Sequence, residues 1–368
     1  MILPSEWHYL GLVAISGVLA VSNGVPLPQG KAWVVFCAFL VWMVGRSCFG
    51  TYPSGPGEPE RGVLGALLLL LLGCVVRKSA EDEQIWKWVA VGMGVVGAST
   101  AAVSAFMSCI VLPPGTVGER LTNLFVHGGL NAVCTGVSYG CAALWLITNH
   151  EKTKSAKWVW IATWMLQYAV LLTRSRGALL ALAAGLVVWV LYKRDWKPVK
   201  LLLLAAVIWV MPQWLPQSRE EIRPAVEMAQ RADAGRFLLY ETAWATRGSV
   251  WIGTGQWGVT EAWMKKLPPD PNRLTTHFHS GYLATFIHGG VLGLGLLLSL
   301  MAIAALRAWK LAREGQAQYL ALLVYGWTAV LFDGQSLASL TTSPRYEGLV
   351  FWLPMLMSLA KRTKQETV

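Results

Sequence analysis

From Gly281 to Leu306 the chain carries no Asp, Glu, Lys or Arg. At about 1.5 Å of rise per residue, a helix of that length crosses the roughly 30 Å hydrocarbon core of a bilayer. Apolar runs of this kind recur along the chain. Spans are read near residues 8–24, 31–46, 62–76, 86–110, 127–148, 157–173, 177–192, 199–215, 281–306, 316–334 and 346–360, about eleven in all and twelve if one is missed in the first third. With 55% hydrophobic and 14% charged residues and a mean hydropathy of +0.47, a soluble domain is excluded. Spanning segments must satisfy every backbone N–H and C=O internally, so an all-α, polytopic integral membrane protein is expected. The net charge of +11 sits in short clusters beside apolar spans, which points away from nucleic acid as a partner.

Those clusters orient the chain. If helices alternate, the basic residues at 152–157, 193–200, 307–313 and 361–364 share one side, and the positive-inside tendency makes it cytoplasmic. No Lys or Arg precedes Lys31, so the first span lacks the basic leader of a cleaved signal peptide, and the N-terminus is expected to be retained and outside. Three parts follow: an N-terminal transmembrane bundle at 1–215, a large outer excursion at 216–280, and C-terminal helices with a short cytoplasmic tail at 281–368. The excursion balances Arg219, Arg223, Arg231, Arg236, Arg247, Lys265, Lys266 and Arg273 against Glu220, Glu221, Glu227, Asp233, Glu241, Glu261 and Asp270, as a folded loop does and a polybasic tail does not. Residues 51–62, 113–120, 173–177 and 337–345 reach the same side. Trp158, Trp160, Trp189 and Trp196 read as interfacial anchors. The six cysteines form no Cys-x-x-Cys pair and read as small core residues.

Three groups on that side could carry chemistry. Arg174 and Arg176 stand between two closely spaced spans, where they either snorkel to headgroups or, with a helix starting near Gly177, bind an anion such as a pyrophosphate. A short amphipathic helix is predicted from Ala234, capped by Asp233, with Arg236 in its first turn. A basic residue is disfavoured there by the helix dipole, and either a bound anion or pairing with Asp233, Tyr240 or Glu241 accounts for it. His277 and His279 would share a face on a strand but not on a helix. Zinc would need further ligands, for which only His8 and His127 are at hand, so no metal is expected. The remaining readings are a structural histidine and general acid–base chemistry.

Taken together, Thr-Arg-Ser-Arg-Gly-Ala at 173–178, Gly-Arg-Phe-Leu-Leu-Tyr-Glu at 235–241 with Gly253-Thr254-Gly255 after it, and His-x-His-Ser at 277–280 leading to Gly290-Val291-Leu292-Gly293 resemble the O-antigen ligase family over roughly 157–360. The resemblance implies a GT-C-like, metal- and cofactor-independent, inverting glycosyltransferase in the bacterial inner membrane with its active site facing the periplasm. It would move a glycan from undecaprenyl pyrophosphate to the lipid A-core oligosaccharide among membrane lipids. Carried over by position, it implies that Arg176 and Arg236, with Arg174 and Arg345, hold the pyrophosphate, that His279 is the base, and that His277 supports it. Ser280-Gly281 departs from the Asn-Glu that often follows the histidine in the family. An O-antigen or capsule polymerase of the same superfamily is the alternative reaction, and a protein-glycosylating transferase a weaker one. A polytopic transporter is the alternative class, and it would show internal hydropathy repeats that are not seen.

The predicted sidedness is open to labelling. Single cysteines at Ser175, Ser249 and Ser280, in a chain freed of native cysteines, are expected to react with a membrane-impermeant thiol reagent in intact spheroplasts. Labelling only after permeabilisation would reverse the orientation.

Overall fold

The computed structural model describes residues 30–55, 57–111, 121, 132–150, 156–211, 236–267, 278–334, 337 and 346–363. These form helices α1 (Lys31–Cys48), α2 (Glu58–Ser79), α3 (Glu83–Val111), α4 (Ala132–Asn149), α5 (Ala156–Leu172), α6 (Arg176–Lys193), α7 (Lys197–Val210), α8 (Arg236–Thr246), α9 (Val259–Met264), α10 (Gly281–Arg313), α11 (Ala317–Phe332) and α12 (Leu353–Ala360). A π-helical turn at Gly348–Trp352 leads into α12. Among the described residues six helices are long and apolar enough to cross a membrane, and no strand forms beyond one isolated bridge, Ser249 to Gly253. The protein is an all-α, polytopic membrane protein. Every predicted span from 31–46 onward has its helix, while the 8–24 span lies outside the described residues. Local chemistry sets several ends. Helix α2 follows Gly57, which is left-handed at φ 72°, and has Pro59 in its first turn with Glu58 and Glu60, and Arg77 and Lys78 in its last, each charge opposing the helix dipole.

The chain divides into two compact units, one of residues 1–81, 235–307 and 330–368, the other of 82–234 and 308–329. In the second unit α4 is buried almost all round, as a helix apolar on every face must be. Its neighbours approach through small residues. A Cβ at Gly140 would lie 2.6 Å from the Tyr325 hydroxyl and one at Gly185 would lie 2.7 Å from Leu144 Cδ2, and the Tyr325 hydroxyl donates to the Val137 carbonyl. Where lipid is as apolar as the side chains, such close approach supplies the dispersion energy that joins helices. Trp189 belongs to this packing, only 1% exposed, so it is a core residue and not the interfacial anchor expected from its position near a span end. Trp196, 58% exposed, keeps the anchor's environment.

In the first unit the rings of Phe36 and Phe39 on α1 lie 5.4 and 5.8 Å from Trp352. A separate core forms in the excursion from Leu239, Ala243, Val259, Trp263 and Leu267 with Phe278, Ala284 and Ile287. Trp263 meets Phe278 edge to face at 4.8 Å, an arrangement favoured by the aromatic quadrupoles. The described part of the excursion is therefore folded, as its balanced charge predicted.

The span expected as one helix at 281–306 is broken. Gly290 takes φ 65°, ψ −163° inside α10, a region open essentially to glycine alone. The ladder bonds from Val291 N to Ile287 O and from Leu292 N to His288 O are thereby lost. Residues 250–255 replace them. Val291 N donates to Val250 O at 2.8 Å and Leu292 N to Trp251 O at 3.2 Å, while Thr254 N and Gly255 N donate to Ile287 O and His288 O at 2.9 and 2.8 Å. The inserted segment is held in turn by α1: Arg46 donates from Nε to Ile252 O at 3.1 Å and from its terminal nitrogens to Gly253 O at 2.8 Å and to Phe49 O. Trp42 Nε1 takes the Gly289 carbonyl at 2.9 Å. The carbonyls of Ile287, His288 and Gly289 and the amides of Val291 and Leu292 thus all have partners, which is how such a break is tolerated in lipid.

A Cβ on Gly290 would lie 2.4 Å from the Trp251 backbone, whereas one on Gly295 would meet nothing within 4 Å. Gly290→Ala is expected to lower stability by about 2 to 4 kcal/mol through strain and displaced backbone, read as a lower Tm of the purified protein. Gly295→Ala should leave Tm unchanged or raise it slightly.

Candidate functional site

The described candidate residues of the first unit converge where the excursion returns to α10. His279 bends between two buried neighbours, Phe278 and Ser280, in the left-handed region at φ 52°, an uncommon conformation for a residue other than glycine. Ser280 Oγ accepts from Leu283 N at 3.4 Å, a first-turn cap that starts α10. The bend turns the imidazole toward the end of α11. There Nδ1 of His279 lies 3.0 Å from Asp333 Oδ1, the histidine 18% exposed and the aspartate 1%. An ionised carboxylate can only accept, so Nδ1–H donates to Asp333 and the neutral imidazole carries its lone pair on Nε2.

Two glycines permit this approach. A Cβ on Gly334 would stand 2.9 Å from Gly281 N, and one on Gly281 would stand 3.2 Å from Leu337. The chain after α11 thus closes on the start of α10 where Gly334 lacks a side chain, and Gly281 leaves room for Leu337. This is a physical role for Gly281, where the sequence departs from the family pattern.

Helix α8 contributes the other two groups. Arg236 is its first described residue, as the sequence predicted, while Asp233, its expected cap, lies outside the described residues. One turn on, the Tyr240 hydroxyl donates to the His279 carbonyl at 3.5 Å. Burial raises the Tyr240 phenol above its ordinary range, the nearby Arg236 guanidinium works against that shift and the Asp333 carboxylate adds to it. Arg236, Tyr240, His279 and Asp333 therefore share one electrostatic environment.

Arg174 and Arg176 belong to the second unit. Arg174, at the α5–α6 corner, is 8% exposed with φ 51°, which makes it a buried side chain and not a headgroup-facing one. Arg176 is the first residue of α6, whose N-cap is Ser175, with Oγ accepting from Ala178 N. His277 and Arg345 lie outside the described residues. No group of three or more His, Cys, Asp or Glu side chains suited to a metal occurs among the described residues. Ser175 and Ser280 are 2% and 6% exposed, so of the three proposed labelling positions Ser249, which is exposed, is the accessible one.

Asp333 escaped the reading of the sequence because it falls inside the predicted 316–334 span. An acid within an apolar span was itself the available signal, since such a group is costly there and is retained for a partner.

Fold and site together define a polytopic membrane protein with a histidine–carboxylate pair, an arginine and a tyrosine gathered where residues 236–280 return to α10. Residues 161–298 match the family model described as O-antigen ligase, so this stretch is similar to that family. No curated protein matches the chain. The matched stretch contains Arg174, Arg176, Arg236, His277 and His279, whereas Asp333 lies beyond it.

Asp333→Asn preserves the shape of its side chain but can also donate, which frees the imidazole to take the wrong tautomer. Transferase turnover is expected to fall about a hundredfold, the low end of what a positioned base contributes, with the amount of inserted protein unchanged. Wild-type turnover in the variant would make the pair purely structural.

Proposed function

We propose that the protein is an O-antigen ligase, moving a glycan from undecaprenyl pyrophosphate to the lipid A-core oligosaccharide at the periplasmic face of the bacterial inner membrane. The observation that carries this reading is the 3.0 Å contact between His279 Nδ1 and Asp333 Oδ1, which leaves Nε2 as a base on a side chain still partly open to solvent. In the proposed step Nε2 takes the proton of an acceptor hydroxyl, and that oxygen bonds to the anomeric carbon of the donor glycan. The bond from that carbon to the pyrophosphate oxygen breaks, and its electron pair leaves with the pyrophosphate. Attack opposite the leaving group inverts the anomeric centre.

Charge grows on the pyrophosphate as the bond breaks, and fixed guanidinium groups stabilise it without reorganising. Arg236 is suited to this by its place near Tyr240, whose hydroxyl meets the His279 carbonyl. For Arg174, Arg176 and Arg345 the support is the family resemblance. Arginine presents a planar fork that lysine lacks, so the exchange is not conservative at a phosphate. The cationic side chains supply the charge that a divalent ion would otherwise bring, which supports a metal-independent reaction.

Purified protein with lipid-linked donor and core acceptor tests the reading. His279→Ala is expected to lower turnover by about a hundredfold or more, and Arg236→Lys and Arg176→Lys by about tenfold to a hundredfold each. Full activity in His279→Ala would remove the base. Chelator is expected to leave the rate unchanged, and a loss restored by added divalent metal would overturn the metal-free step. Transfer only to a second lipid-linked glycan, with core acceptor ignored, would assign the same chemistry to a polymerase.

A further inference from the structure

Within the first unit, far along α10 from His279, residues from four helices enclose a cavity. Its volume is about 500 Å³, and its lining includes Lys31, Arg77, Arg307 and Arg362 with Glu81 as the acidic member among the described residues. These come from the start of α1, the end of α2, the later part of α10 and the end of α12, so the cluster is built by folding and is not a run in the sequence. From Val291, just past the break, to Arg307 the helix climbs about 24 Å. That places the cavity roughly a hydrocarbon thickness from the inserted segment.

Glu81 does not balance the charge alone. It accepts from Lys361 Nζ at 2.7 Å and from the Arg362 backbone N at 3.2 Å, so a fifth cation already draws on the same carboxylate. Burial works against ionisation of Glu81, yet the hydrogen bonds from Lys361 and Arg362 and their charges hold its pKa below the ordinary carboxylate value. Arg307 is fixed in place by donating to the Lys361 carbonyl at 3.2 Å. The lining thus concentrates positive charge in a pre-built concavity.

The surroundings say which kind of anion fits. Val34, Val75 and Leu306, within three residues of Lys31, Arg77 and Arg307, are 67%, 46% and 61% exposed, as side chains are that face hydrocarbon. Trp33, Ala32 and Leu359 form the apolar part of the wall. A ligand seated here would place a phosphate among the cations and acyl chains along the adjacent apolar helix faces.

We propose that this cavity binds the headgroup of an anionic phospholipid on the membrane face opposite His279, the face that the basic clusters at 307–313 and 361–364 mark as cytoplasmic. Basic pockets between transmembrane helices on that side recognise anionic headgroups, each Lys or Arg adding to the attraction. The site ties α1, α2, α10 and α12 together around a lipid phosphate, and it stands independently of the transferase reading.

The test uses the full-length protein in a zwitterionic detergent, followed by thermal unfolding and native mass spectrometry. Phosphatidylglycerol is expected to raise Tm and to remain bound, and phosphatidylcholine is not. Lys31→Gln with Arg77→Gln should weaken phosphatidylglycerol binding about tenfold or more. Arg362→Gln, which alters an exposed side chain while its backbone N still meets Glu81, should weaken binding in the same direction without loss of folded protein. Equal effects of the two lipids, undiminished phosphatidylglycerol binding in both variants, or a full Tm shift from inorganic phosphate alone would each overturn the proposal.

Discussion

The insertion of residues 250–255 into the break of α10 is the constraint on which the first unit depends. A transmembrane helix that loses two consecutive ladder bonds would expose polar backbone at a cost of several kcal/mol per group in a lipid setting. Here the carbonyls of Ile287 and His288 and the amides of Val291 and Leu292 each find a partner from the inserted segment. The segment's own outward carbonyls are taken by Arg46. The same few residues thereby join α1, the excursion and α10. Further bonds from the ends of α1 and α2 follow the same line: Gln256 N to Ser47 Oγ at 2.9 Å, Gly258 N to Glu58 Oε2 at 2.8 Å and Thr51 N to Thr254 O at 2.7 Å.

The break also explains how one element can serve two surroundings. Residues 281–289 pack their Ala284 and Ile287 into the aromatic core of the excursion, while the stretch after Gly290 continues as the apolar span. His279 and Ser280 sit at the head of the first piece, so the geometry of the histidine rests on how firmly that piece is held. The Gly281–Gly334 approach then brings in α11, and with it Asp333. The Asp333 side chain, only 1% exposed, has few rotamers open to it, and such packing preorganises an imidazole better than a mobile loop does.

Where the sequence was read wrongly, the reasons are physical and local. Hydropathy cannot see a single φ reversal, so the span at 281–306 read as continuous although Gly289-Gly290 marked a place where a helix could stop. Trp189 read as an anchor because tryptophan near a span end is usually interfacial, but it is buried, with the His150 ring 6.4 Å away. Arg174 presented two readings in the sequence, snorkelling or binding, and its burial disfavours snorkelling. Asp333 was hidden by the apolar run that contains it, and its partner lies 54 positions away, beyond the reach of any spacing argument.

What the sequence determined by itself was the class and the inventory: apolar runs long enough to span, a folded excursion between them, arginines at two helix starts and a histidine ahead of an apolar span. These depend on composition and on contacts within a turn or two, which the order of residues carries directly. Only the tertiary structure decided that α10 is broken, that residues 250–255 heal it, that Asp333 holds His279 and that residues from four helices gather into a basic cavity. Each of those rests on groups brought together across tens to hundreds of positions, where the deciding terms are backbone hydrogen bonds and steric fit at glycine, neither of which leaves a periodic mark in the chain.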